Sequence, residues 1–254
     1  MDALLKAVRY ALVVVGISAL MLTGQTGAAT AALPTPLKVA KMAPSNGQMV
    51  GVAMPVKVTF TAPVDDRDAA EHAIAFSSPK MSSAPQGKFT WLDERTMQFT
   101  PSTYWPAHST IMMSVGGAKQ SFDTGASTMG VASISGHTFT VSIDGQVVKT
   151  MPASMGKPKH PTPVGSFAAL EKQNPVVMDS RTIGIPLNDP EGYKLTVYYA
   201  VRVTWGGVYV HSAPWSVSQQ GNSNVSHGCI NLSPDNASWY YNQVTVGDPI
   251  VVNA

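Results

Sequence analysis

Cys229 is the one cysteine of the chain, and it stands in the run Ser226-His227-Gly228-Cys229-Ile230-Asn231, with a second histidine, His211, upstream. A single cysteine cannot close an internal disulfide, so Cys229 is a buried small hydrophobe, a metal ligand or a reactive thiol. A thiol attacks a carbonyl only as thiolate, and at its free pKa of about 8.5 only a few per cent is ionised at neutral pH. The reactive reading therefore needs a base. His211 and His227 are the available ones, because an imidazole titrating near about 6.5 can take the proton and later return it to a leaving amine. His227 lies two residues before Cys229, so an extended backbone would put both side chains on one face. His211 has to reach the site across strands. Gly228 lets the backbone approach a substrate closely, and the N–H groups of Gly228 and Cys229 are candidate oxyanion donors. The same residues admit a zinc site of His211, His227 and Cys229 with one open position, or an inert thiol. The nearby aromatics, Trp215, Trp239, Tyr240 and Tyr241, read first as core.

Stepping outward, the elements that must position these residues are mostly strands. Val208-Tyr209-Val210, after Gly206-Gly207, reads as a strand that delivers His211 at its end. Leu195, Val197, Tyr199, Val201 and Val203 form the longest alternating series and predict one long strand. Ser233-Pro234 is a helix start, serine as N-cap and proline in the first turn, predicting a helix to Val244. Pro249–Val252 reads as a closing strand. Upstream, Thr138–Ile143 and Gln146–Met151 flank Asp144-Gly145, a tight hairpin turn. Residues 33–126 read as a small β-sandwich: Val56, Val58 and Phe60 alternate with polar residues, and Phe89/Trp91 and Met97/Phe99 flank a polar hairpin loop. Asp66–Ala75 is the helical candidate there. His72 and His108 have no partner at ligand spacing and read as ordinary surface or core residues. Asp123–Gly130 reads as a junction, dividing the chain into 33–126 and 127–254.

Lys6 and Arg9 precede an apolar run from Tyr10 to Leu22, and Ala29-Thr30-Ala31 is a small-x-small cleavage site, so residues 1–31 read as an export signal. The run is short against the roughly 20 residues that cross a bilayer, and an uncleaved anchor through residues 10–22 is the alternative. With no cysteine beside it, lipid attachment is excluded. Seventeen Lys and Arg stand against fifteen Asp and Glu, a balance that supports no nucleic-acid partner. Only 13% of the residues are charged, which with abundant Gly, Pro, Ser and Thr suits short strands joined by turns.

His211-Ser212 followed by Ser226-His227-Gly228-Cys229-Ile230-Asn231 resembles the signature of the L,D-transpeptidases, the YkuD-like cysteine enzymes of bacterial peptidoglycan. The resemblance extends through residues 147–167 and 176–188, and the first half is similar to the immunoglobulin-like module of mycobacterial members. It implies an immunoglobulin-like β-sandwich followed by a mixed β catalytic domain with a short helix after the cysteine and a lid, placed by analogy at 189–203. It implies acyl transfer without metal or cofactor: Cys229 attacks a donor stem tetrapeptide at diaminopimelate, D-alanine leaves, and a second stem's diaminopimelate amine forms a 3→3 cross-link. His211 would be base and acid, Ser212 would orient it through its carbonyl, and His227 and Gly228 would shape the oxyanion region. Tyr193 would help hold the oxyanion, and Asn231 and Met178 would line the donor pocket. Carbapenem β-lactams would inhibit, in the periplasm or cell wall. The rivals are an L,D-carboxypeptidase or another cysteine acyltransferase or peptidase, and a wall-binding module with a relic site. A sortase-like enzyme needs an arginine after the cysteine, and residues 230–254 hold neither Arg nor Lys.

Overall fold

The computed structural model describes residues 37–254, so the export signal or anchor expected at 1–31 lies outside the described residues. Among the described residues no helix is long and apolar enough to cross a membrane. The first half has eight strands: β1 (Val39–Ala43), β2 (Gln48–Val50), β3 (Val56–Phe60), β4 (Ala75–Ser77), β5 (Gly87–Trp91), β6 (Thr96–Pro101), β7 (Ser109–Val115) and β8 (Ala118–Thr124). They form two four-stranded sheets, ordered β1-β3-β6-β5 and β2-β8-β7-β4. The period-two pattern does what it predicts: Val56, Val58 and Phe60 are buried while Lys57 is exposed. The shared core centres on Trp105, buried, with its indole N–H on Met54 O at 2.8 Å and its ring edge-on to Phe122. The helix α1 (Arg67–His72) starts where Asp66 accepts from the Ala69 amide.

The second half has eleven strands: β9 (Thr128–Ser133), β10 (Thr138–Ile143), β11 (Gln146–Pro152), β12 (Gly165–Ala168), β13 (Glu171–Gln173), β14 (Val176–Asp179), β15 (Lys194–Val197), β16 (Ala200–Arg202), β17 (Tyr209–Ser212), β18 (Ile230–Leu232) and β19 (Pro249–Asn253). One sheet runs β11-β10-β9-β19-β12 and another β13-β16-β17-β18, while β14 and β15 pair only with each other. Both larger sheets and the helix α2 (Pro234–Gln243) contribute to one core, including Phe139, Met151, Val210, Ile230, Tyr240 and Ile250. Each such side chain stabilises by roughly 1.5–3 kcal/mol when fully buried. The start of α2 is the expected one: Ser233 Oγ accepts from the Asn236 amide, with proline in the first turn.

Two expectations fail here. The series from Leu195 to Val203 is not one strand: Tyr199 has φ +52°, and the chain breaks there into β15 and β16, which lie in different sheets. Val197 and Val201 are both buried, so alternation alone could not show the break. The range 189–203 expected to form a lid is divided in the same way: β15 pairs with β14 in a hairpin, the flap, whereas β16 belongs to the sheet that carries His211.

The two halves are joined by residues 125–127 alone, a shorter link than Asp123–Gly130 suggested. They also bond directly: the Gly51 amide donates to Val246 O and the Ala53 amide to Gly247 O, each at 2.8 Å. A Cβ on Gly51 would lie 2.0 Å from the Asp248 nitrogen, so only glycine permits this approach. His108 reaches Asp144 at 2.9 Å, and the same Asp144 accepts from the Ser127 amide.

Candidate active site

Strands β17 and β18 are parallel, pairing Val210 with Ile230, His211 with Asn231 and Ser212 with Leu232. Parallel neighbours need a crossover of a dozen or more residues, and residues 213–229 supply it. Side chains alternate across a strand, so one face receives Val210, Ile230 and Leu232, all in the core. The opposite face receives Tyr209, His211 and Asn231, with Cys229 packed beside Tyr209. Register and crossover together thus put cysteine and histidine on one face.

His211 is buried, and its Nδ1 lies 2.8 Å from the Ser212 carbonyl oxygen. A carbonyl only accepts, so Nδ1 carries the proton and Nε2 keeps its lone pair. Burial holds the imidazole pKa down at about 4, against a smaller opposing effect of that hydrogen bond. Cys229 is partly buried, its thiol donating to Gly207 O at 3.6 Å. Burial pushes the thiol up to about 11, partly offset by the Tyr209 amide. With those shifts both side chains are neutral at physiological pH.

The turn that presents Cys229 differs from the extended backbone expected. Gly228 has φ +115°, and the chain turns there. Ser226 Oγ donates to Cys229 O at 2.6 Å and accepts from the Gly228 amide at 3.0 Å. The Gly228 N–H is therefore engaged inside the turn, and the Cys229 amide is left as the backbone candidate for an oxyanion. Buried Thr162 clamps the same turn, its hydroxyl donating to Gly228 O and accepting from the Gly156 amide, both at 2.8 Å. Residues 154–157 run alongside: Asn231 N donates to Ser154 O, and Lys157 N to Ser226 O.

His227 lines the same cavity as Cys229, and its own contacts are with the flap and residues 157–160. Its ring packs on Tyr193 and His160, centroids 5.0 Å apart in each case, and its Nε2 lies 3.3 Å from Glu191 Oε2. Glu191, on the flap loop, also meets Lys157 at 3.1 Å, His160 at 3.0 Å and Lys159 at 3.7 Å. Lys157 above all holds the Glu191 carboxyl down at about 2. Among the described residues, the convergent set with metal-ligand spacing is His160, Glu191 and His227, rather than the zinc triad of His211, His227 and Cys229. Lys157 already supplies the cation there.

A cavity of about 430 Å³ opens onto Cys229 and His211, walled by Met178 and Tyr193 of the flap and by Asn231. Asn231 donates to Ser216 Oγ at 3.1 Å, while its Oδ1 is buried without a partner. Burial raises the Tyr193 pKa, so its hydroxyl stays a donor. Trp215, expected in the core, is 52% exposed, lines this cavity and lies 6.0 Å from the His211 ring. Trp239 and Tyr241 do pack against the core.

Residues 127–252 match the YkuD family, described as the L,D-transpeptidase catalytic domain, and residues 4–118 match the bacterial Ig domain. L,D-transpeptidase 1 of Mycobacterium tuberculosis is 56% identical over 97% of this chain and 98% of its own. The chain belongs to the L,D-transpeptidase family. A solved L,D-transpeptidase from Mycobacterium smegmatis superposes with a TM-score of 0.81 at 64% identity, covering 87% of this chain and all of that one. L,D-transpeptidase 3 of M. tuberculosis, solved with a faropenem-derived adduct, gives 0.79 at 51% identity over 85% of this chain and 98% of its own. A transpeptidase solved in complex with imipenem gives 0.80 at 58% identity over 85% and 99%.

Within this transpeptidase fold, the sequence carries no sign of Thr162, Lys157 or Glu191, and marks Ser226 as part of the signature without a role. Thr162 and Lys157 lie inside the 147–167 segment that carried the resemblance, but spacing could not show that they reach the Cys229 turn and the flap.

Proposed function

We propose that this L,D-transpeptidase forms 3→3 peptidoglycan cross-links outside the cytoplasm, with Cys229 as nucleophile and His211 as base and then acid. The observation that carries the reading is the shared face of Cys229 and His211, with the imidazole tautomer set by Ser212 O. As sulfur bonds to the carbonyl carbon of diaminopimelate in a donor tetrapeptide, the thiol proton passes to His211 Nε2. The oxyanion faces the Cys229 amide and the Tyr193 hydroxyl. When the C–N bond breaks, His211 gives the proton to the departing D-alanine amine, leaving a thioester. The side-chain amine of a second stem's diaminopimelate then attacks, giving up a proton to His211 Nε2, and as the C–S bond breaks that proton passes to sulfur. Met178 and Asn231 line the donor side, while His227 acts as a wall of the cavity through Tyr193 rather than as base. Residues 127–254 are the catalytic domain, and 33–126 a spacer that holds it at the wall, reached by export with or without an anchor through residues 10–22.

The relatives solved with imipenem and with a faropenem-derived adduct support β-lactams, carbapenems among them, as acylating inhibitors of this chain. Incubation with a carbapenem and mass spectrometry should show one covalent adduct, on the peptide containing Cys229. An unmodified Cys229 or an adduct on serine would overturn the assignment.

A further inference from the structure

The leaving residue in that reaction ends in a carboxylate, one residue beyond the carbonyl that Cys229 attacks, and selecting a terminal residue calls for a cation at that place. Among the residues lining the cavity at Cys229, Lys157 is the one lysine or arginine. It is held by a carboxylate of the protein's own: Glu191 Oε2 sits 3.1 Å from the Lys157 ammonium, 3.0 Å from His160 Nε2 and 3.3 Å from His227 Nε2. His227 Nε2 is buried and, despite that proximity, makes no well-formed hydrogen bond. Lys159 approaches the other carboxylate oxygen at 3.7 Å. Two ammonium groups and two imidazoles thus surround one carboxylate, a setting that favours an anion and repels a second cation. The carboxylate is delivered by the flap, on a turn in which the Glu191 and Gly192 amides donate to Asp189.

We propose that Lys157, with His160 and His227, is the subsite for the terminal carboxylate of the donor stem peptide, and that Glu191 occupies it until the substrate displaces it. This deepens the transpeptidase reading above and rests on it. Glu191 then has two effects, closing the flap over the cavity and competing with substrate.

The test compares a donor tetrapeptide bearing a free C-terminal carboxylate with the same peptide as its C-terminal carboxamide, following release of D-alanine or D-alaninamide by mass spectrometry. The wild type should prefer the acid by about 10- to 100-fold in kcat/KM, the scale of one charge-assisted hydrogen bond, with most of the difference in KM. Lys157→Met should raise KM for the acid alone and erase the preference, whereas Lys157→Arg should keep it. Glu191→Gln should lower KM for the acid more than for the amide, and so widen the acid-to-amide preference. Equal use of acid and amide by an active wild type, or a Glu191→Gln variant whose KM values both stay put, would overturn the subsite. If Lys157→Met fails to fold, Lys157→Arg and Glu191→Gln still decide by their acid-to-amide ratios. Absence of turnover with either peptide would instead place the failure in the transpeptidase reading.

Discussion

At the residue scale, the protonation states set the chemistry. With His211 held at about 4 and Cys229 at about 11, both partners are neutral over the whole physiological range. Carbapenem acylation followed against pH should then be flat from about 5 to about 10. It should fall in acid only as His211 protonates near 4, because a charged imidazole has no lone pair for the thiol proton. An acid limb at 6.5, the value of a solvated histidine, would mean that another base is at work. His211→Ala should lower acylation by about 100-fold or more in a protein that still folds, though it melts lower for the buried ring it loses. Cys229 and His211 could be read from the sequence because their residue types already carry the chemistry. Thr162 could not, since a threonine is ordinary until the fold sets its hydroxyl between Gly156 and Gly228. Thr162→Val keeps the shape and removes both hydrogen bonds, and should slow acylation by roughly 10- to 100-fold through displacement of the turn.

At the element scale, the parallel β17–β18 pair was half visible. The strand ending in His211 was expected, but its parallel partner was not, because pairing direction is fixed by the crossover and leaves no periodic trace. The turn at Gly228 and the break at Tyr199 escaped for a common reason: both depend on positive φ, which hydrophobic alternation does not report. For Gly228 this makes a clean experiment. A Cβ there would have room, its nearest neighbour being Pro161 O at 3.7 Å, so Gly228→Ala acts through backbone strain alone. The strain is of order 1–3 kcal/mol. The variant should fold, melt several degrees lower and acylate at least about 10-fold more slowly. Wild-type acylation would show that the turn need not be held in this form.

At the scale of the whole molecule, the two halves meet through Gly51 and Ala53 on one side and Val246 and Gly247 on the other, with Asp248 buried against the contact. Burial raises the Asp248 carboxyl to about 7, opposed by the Thr245, Val52 and Thr128 amides and by Lys172, with the Tyr240 hydroxyl also near. A carboxyl whose folded pKa lies above its unfolded value adds stability fully present below about 4, and that stability is lost as pH rises to about 7. The melting temperature should therefore drop by several degrees between pH 5 and pH 8, and Asp248→Asn should flatten that dependence. A wild type with equal melting temperatures at both would refute the role. A protein of residues 127–254 should fold and acylate, but less stably, having lost the partners of Val246 and Gly247.

One thiol in the entire chain, protonated at rest, also settles how the molecule meets oxidants. Peroxide reacts with thiolate, and the burial that pushes the Cys229 thiol up to about 11 keeps it protonated at neutral pH. Any sulfenic acid that did form would find no second cysteine to close a disulfide and would be open to further, irreversible oxidation. Under the proposed mechanism, a thiol that stays protonated until an acyl donor arrives would also be shielded from peroxide between turnovers.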